Sequence, residues 1–189
     1  MGNFRWRTAT IAIVGFLAVA AILAAIFAAA GVYDVAADAP HTALMRGLIA
    51  YVRVRSIESR SQGIRVPPLN DRKMIADGAS DYDAMCTGCH LGPGIEENEM
   101  RPGMNPKPPL LAKGRFGTPA ENFWVIKHGI KMSGMPAWGV THSDNEIWNM
   151  VAFLQVLPAL SSAQYRALVA QSGGHHEHGD DDHHMDTPH

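Results

Sequence analysis

Cysteine is nearly absent: the chain of 189 residues holds two. A four-thiol zinc site is therefore excluded, since it needs a second pair. An excess of charge of one sign is lacking too. Sixteen basic and eighteen acidic residues leave a formal net charge of −2, so no overall field would hold nucleic acid. No βαβ pattern precedes the cysteines, which removes the usual setting of a thioredoxin-like redox pair. There is no paired-carboxylate site, no nucleophile–base arrangement and no Gly-rich phosphate loop, and the sequence gives no second chemistry to set beside the one below.

What is present is Cys86-Thr87-Gly88-Cys89-His90. This Cys-x-x-Cys-His run is the signature of covalent c-type haem attachment. Two thiols at this spacing reach two vinyl groups of one flat ring, and the next residue offers an imidazole to the iron. An iron with a proximal histidine keeps one further axial position, and the protein decides what fills it. Both cysteines are committed on this reading, leaving none for a disulfide.

The N-terminus bears on compartment. Arg5 and Arg7 precede an uncharged run from Thr8 to Tyr33, and the next charge is Asp34. As a helix that run, roughly 26 residues, measures about 39 Å, enough to cross a hydrocarbon core of about 30 Å. A cleavable signal peptide competes, with Ala28-Ala29-Ala30 as a cleavage site, but its apolar region is usually only about 7–15 residues. The expectation is a retained anchor over 8–33, with residues 1–7 in the cytoplasm. Basic residues before the span and acids after it set that orientation. The rest then lies on the periplasmic side, where bacterial c-type haem is attached. A row of small residues, Ala21, Ala25 and Ala29, suits close helix approach in a membrane, though alanine abounds in this segment.

Residues 34–68 read as a linker and an amphipathic helix. Leu44, Met45, Leu48, Ile49 and Val52 fall on one helical face, while Arg46, Arg53 and Glu58 point elsewhere. This helix could lie in the lipid interface, pack on the chain's own domain or seat against another subunit. Gly63 and the pair Pro67-Pro68 end it.

A domain over 69–160 follows. Asp71 suits the cap of a helix reaching Cys86, with Gly78, Tyr82 and Cys86 on one face. From Leu91 to Gly117 proline and glycine are dense, so the chain wraps as an ordered loop rather than a helix or strand. Thr118-Pro119-Ala120-Glu121 is a capping box with proline at the first helical position, and Phe123, Trp124 and Ile126 supply that helix's apolar faces. Ser143 or Asp144 caps the next helix, whose buried stripe is Ile147, Met150, Val151, Leu154 and Val156, with Trp148 and Phe153 beside it. Pro158 ends it. A short polar helix is expected over 161–172.

Together, Gly-x-x-x-Tyr-x-x-x-Cys-x-x-Cys-His, a Pro-rich loop, Met-Pro-Ala-Trp-Gly and a helix carrying Ala-Phe-Leu resemble a small monohaem class I cytochrome c. The likeness covers about residues 70–160 and is nearest to bacterial membrane-anchored forms, whose domain recurs in haem–copper oxidases and dehydrogenases. The resemblance implies an all-α fold around one covalent haem c, thioethers from Cys86 and Cys89, His90 as proximal ligand and Met135 as distal ligand. It also implies that Gly78, Tyr82, Met150 and Phe153 form the crossing of first and last helices. Met132 is the rival thioether. Pro136 favours Met135, because it pushes the preceding residue toward an extended conformation and presents that side chain from a loop. His128 and His142 flank this turn and read as surface residues.

Residues 173–189 hold six of the ten histidines, interleaved with Glu177 and Asp180-Asp181-Asp182. Such a tract either binds divalent metal or is a solvated tail. With both axial sites filled, the expected function is electron transfer rather than catalysis. It is carried out by a single-pass membrane cytochrome whose partners are an oxidase, a dehydrogenase or a quinol-oxidising complex. A haem enzyme or sensor with a displaceable distal ligand remains an alternative, as does a metal-handling protein built on the tail.

Overall fold

A computed structural model describes residues 2–114 and 117–171, and the histidine-rich tail lies outside them. Two compact units divide the chain, 1–40 and 41–189.

The first unit is one long helix, α1 (Gly2–Ala29). From Trp6 to Ala29 it is long and apolar enough to cross a membrane, with a mean hydropathy of 2.9. Large apolar side chains, among them Ile13, Phe16, Leu23 and Phe27, lie exposed along it. A helix that is apolar all round needs either a protein interior or a bilayer.

The regular elements of the second unit are all helices among its described residues. Its elements are α2 (Ala43–Ser61), α3 (Arg72–Met85), the single turn α4 (Thr87–His90), α5 (Pro119–His128), α6 (Asp144–Val156) and α7 (Ser162–Gln171), with four short 3-10 turns between them. Local chemistry sets most of the starts. Asp71 accepts from the Lys73 and Met74 amides at 2.8 and 3.0 Å. Thr118 with Glu121, and Ser143 with Glu146, form full capping boxes, each worth about 1 kcal/mol.

Helices α3 and α6 cross at the centre. Gly78 sits at the crossing, where a Cβ would collide with the Asn149 carbonyl. One turn on, the Tyr82 and Phe153 rings pack at 5.2 Å. On the α5 side, Phe123 stacks on Trp148 at 4.2 Å, and Ile126, Ile147, Met150 and Val151 complete that cluster. The stripe of α6 is buried at Ile147, Trp148, Met150, Val151, Ala152 and Phe153, whereas Leu154 and Val156 are only half-buried.

Two elements differ from their sequence pattern. Helix α7 is not merely polar: Tyr165 is buried against Phe153 and donates to Asp83 at 2.6 Å. Helix α2 packs against α5, but not through its obvious apolar face. Leu44, Leu48, Ile49 and Val52 stay exposed, while Ile57 is half-buried and Ser61 buried.

Candidate functional site

The unit encloses a cavity of about 660 Å³, within the range of about 300–1,000 Å³ usual for cofactor sites. Cys86, Cys89 and His90 line it, and so does Met135 from the far end of the domain sequence. The rest of the lining is largely apolar, including Met85, Leu111, Ile126, Ile130 and Leu154.

The proximal residues hang from the end of α3 and the turn α4. The Cys89 and His90 amides bond back to the Cys86 carbonyl at 3.1 and 2.8 Å, which coils the motif tightly. Tyr82 donates to the Leu91 carbonyl at 2.6 Å and Thr87 to the Asp83 carbonyl at 2.7 Å, tying the motif to α3. His90 Nδ1 lies 2.9 Å from the Pro109 carbonyl oxygen. A carbonyl only accepts, so Nδ1 carries the proton and Nε2 keeps its lone pair. Burial, above all, holds the imidazole below its ordinary pKa; the Pro109 bond opposes this and Arg101 adds to it. A neutral ring is the metal-binding form.

Arg101 is the residue that sequence reasoning missed. Its side chain is only 7% exposed although it carries a guanidinium. Its Nε donates to the Cys89 carbonyl at 3.0 Å, Nη2 to the Pro108 carbonyl at 2.7 Å, and Nη1 pairs with Glu97. One guanidinium thus clamps the motif to the strand of loop that orients His90. Only the pairing geometry reveals it, since one arginine in a Pro/Gly-rich loop carries no local signal.

Burial, then Asp81 and Cys89, push the Cys86 thiol up to about 12. Redox and nucleophilic cysteines need the opposite shift. Cys86 and Cys89 are not joined in a disulfide. Cys86 and Cys89, lining one cavity beside His90, fit covalent haem attachment.

The distal residues come from the loop between α5 and α6. Gly129 ends α5 with φ +64°, and a Cβ there would meet the Met135 and Pro136 backbone at 2.7 Å. The Ile130 amide donates to the Met135 carbonyl at 3.2 Å. Ser133 donates to the Ile130 carbonyl at 2.7 Å and accepts from the Met135 amide at 3.2 Å. Met132, by contrast, is 100% exposed, with φ +56°, and does not pack on the core. Met104 also lines the cavity, and its methyl group lies where a Cβ of Gly134 would be. His128 and His142 do not line the cavity. Among the described residues no cluster of three histidine, cysteine or acidic side chains could hold a metal ion.

A helical domain with this helix crossing and a half-buried Cys-x-x-Cys-His turn fits a cytochrome c domain, which implies covalently bound haem c. Residues 73–154 match the family model described as cytochrome c oxidase, cbb3-type, subunit III. With the apolar helix α1, the chain fits a membrane-anchored monohaem cytochrome c. No curated protein and no solved structure matches it. A cytochrome c domain implies an electron carrier, and α1 is consistent with single-pass anchoring.

Proposed function

We propose that this protein relays single electrons outside the cytoplasmic membrane, with Cys86 and Cys89 holding haem c as thioethers and His90 and Met135 as its axial ligands. The observation that carries the reading is that all four side chains line one apolar cavity, although Met135 lies far along the chain from the motif. When bound, the haem supplies a one-electron ferric–ferrous couple.

The protein's own groups do the rest. The Pro109 carbonyl fixes the His90 ring so that Nε2 is the donor. The thioether of Met135, a soft donor, would favour the reduced iron and raise the potential relative to a second imidazole. Ser133 and Gly129 hold the loop that carries it. Apolar walls exclude water, which limits reorganisation as charge changes. With His90 and Met135 both holding the iron, no coordination site would be left for a small molecule, and outer-sphere transfer would be the chemistry that remains.

Residues 8–33 act as a retained anchor with the cytochrome c domain of residues 69–160 on the periplasmic side, as Arg5 and Arg7 before the span and Asp34 after it suggest. The partner is a respiratory complex, a cytochrome c oxidase being the first candidate from the family's printed description. An optical spectrum of the purified protein tests the ligation: a far-red methionine–ferric band is expected, and a high-spin spectrum overturns it. Recovery of oxidase subunits with the protein from detergent-solubilised membranes tests the partner. A soluble form starting after Ala30 overturns the anchor.

A further inference from the structure

Helix α2 lies outside the family's matched segment, which begins at residue 73. It nonetheless lines the same cavity through Arg53, Val54, Ile57 and Glu58. Val54 and Ile57 extend the apolar wall. The charged residues of the lining are otherwise spoken for. Lys107 pairs with Glu97 at 2.8 Å, and Glu58 pairs with Arg55 at 2.6 Å. Glu121 is taken by the Thr118 amide, at 2.6 Å, in the capping box of α5. Arg53 alone among the described charged residues of the lining has no ion pair and no hydrogen bond, although it is half-buried. A guanidinium on the edge of an apolar cavity calls for an anion. A porphyrin of the haem c type carries two carboxylates, and a guanidinium fork matches a carboxylate in shape and charge.

We infer that α2 is a wall of the haem site and that Arg53 receives a haem propionate. The inference rests on haem c occupying this cavity. An unpaired propionate stabilises the ferric form, which carries one more positive charge. Pairing with Arg53 therefore raises the midpoint potential. It also ties the pre-domain helix, on the membrane-proximal side in sequence, to the redox centre.

The test uses the full haem-loaded chain in detergent, with resonance Raman reading the propionate bending mode and a redox titration reading the potential. Arg53→Gln should shift the propionate mode and lower the potential, and Arg53→Glu should lower it further. Arg60→Gln serves as the control. It removes the same charge from the same helix, but Arg60 bonds Ser56 instead of lining the cavity; it should leave the mode unmoved. An unchanged mode in Arg53→Gln overturns the inference, as do equal shifts in potential from Arg53→Gln and Arg60→Gln. If Arg53→Gln attaches no haem, Arg53→Lys carries the test: replacing the fork by a point charge should still shift the mode, and an unmoved mode counts against the contact. A missing far-red band in the unaltered protein strikes at Met135 ligation and leaves the propionate mode readable, so the two failures stay separate.

Discussion

The two arms of the site are held by different means. The proximal arm is a five-residue run at the end of a helix, pinned by bonds from distant loop residues: Pro109 on His90, and Arg101 on Cys89 and Pro108. The distal arm is a loop pinned almost entirely by its own neighbours: Gly129, Ile130 and Ser133 around Met135. The proximal arm is thus rigid because the fold closes on it, and the distal arm because its turn chemistry closes on itself. Damage to packing should therefore fall first on the proximal side, and local changes in the loop should alter ligation without unfolding the domain.

Breaking the support common to both arms should cost most. Gly78→Val drives a branched side chain into the Asn149 backbone, so α3 and α6 must separate. Loss of folded, haem-loaded protein is expected, and near-normal yield with an unchanged melting temperature would show that the crossing yields more easily than its geometry implies.

On the proximal arm, Arg101→Ala leaves the Cys89 and Pro108 carbonyls without their donor and Glu97 without one of its two partners. Removing a buried charged donor costs about 3 kcal/mol. Chemical denaturation of the haem-loaded protein should show a loss of that order. The methionine band should survive below the transition.

The distal arm should respond in spectrum more than in stability. Met135→Ala should keep the covalent haem, lose the far-red band, admit carbon monoxide and lower the potential. Met104→Ala should keep the band, with a packing cost of about 1–3 kcal/mol for a half-buried thioether. If Met104→Ala loses the band and Met135→Ala keeps it, the ligand assignment reverses.

A finer cut is Ser133→Ala. It removes one loop hydrogen bond that donates to Ile130 and one that accepts from Met135, for about 1 kcal/mol. The midpoint for alkaline loss of the far-red band should move to lower pH, while the melting temperature changes little. The smallest effect belongs to Met132→Ala, within about 0.5 kcal/mol as for most surface positions, with the spectrum unaltered. A large loss there would mean that Met132 leaves solvent when a partner binds.

Much of the site was legible in sequence because its signals are local. Cys-x-x-Cys-His needs only five consecutive residues, and Pro136 fixes the backbone around Met135 without help from the rest of the chain. Asp71, Thr118 and Ser143 start their helices by bonds that span two or three residues, so their positions could be read directly. The uncharged run from Thr8 to Tyr33 likewise states its own need for an apolar medium.

What the sequence could not decide is whatever depends on distant residues meeting. The apolar stripe of α2 left lipid, the chain's own domain and another subunit all open as its contact; Leu48 and Ile49 are 55% and 45% exposed, and the domain takes the side bearing Ile57 and Ser61, because that side meets α5 and the cavity. Arg101 looked like an ordinary loop charge, and only closure of residues 97–109 around the motif supplies the carbonyls that bury it. Tyr165 sat in a segment of low hydropathy, and the α3–α6 pair provides the slot and the Asp83 acceptor that draw it in. Capping and turn chemistry act within a few residues and are written in sequence. The choice among competing faces depends on which surfaces the folded chain brings opposite each other.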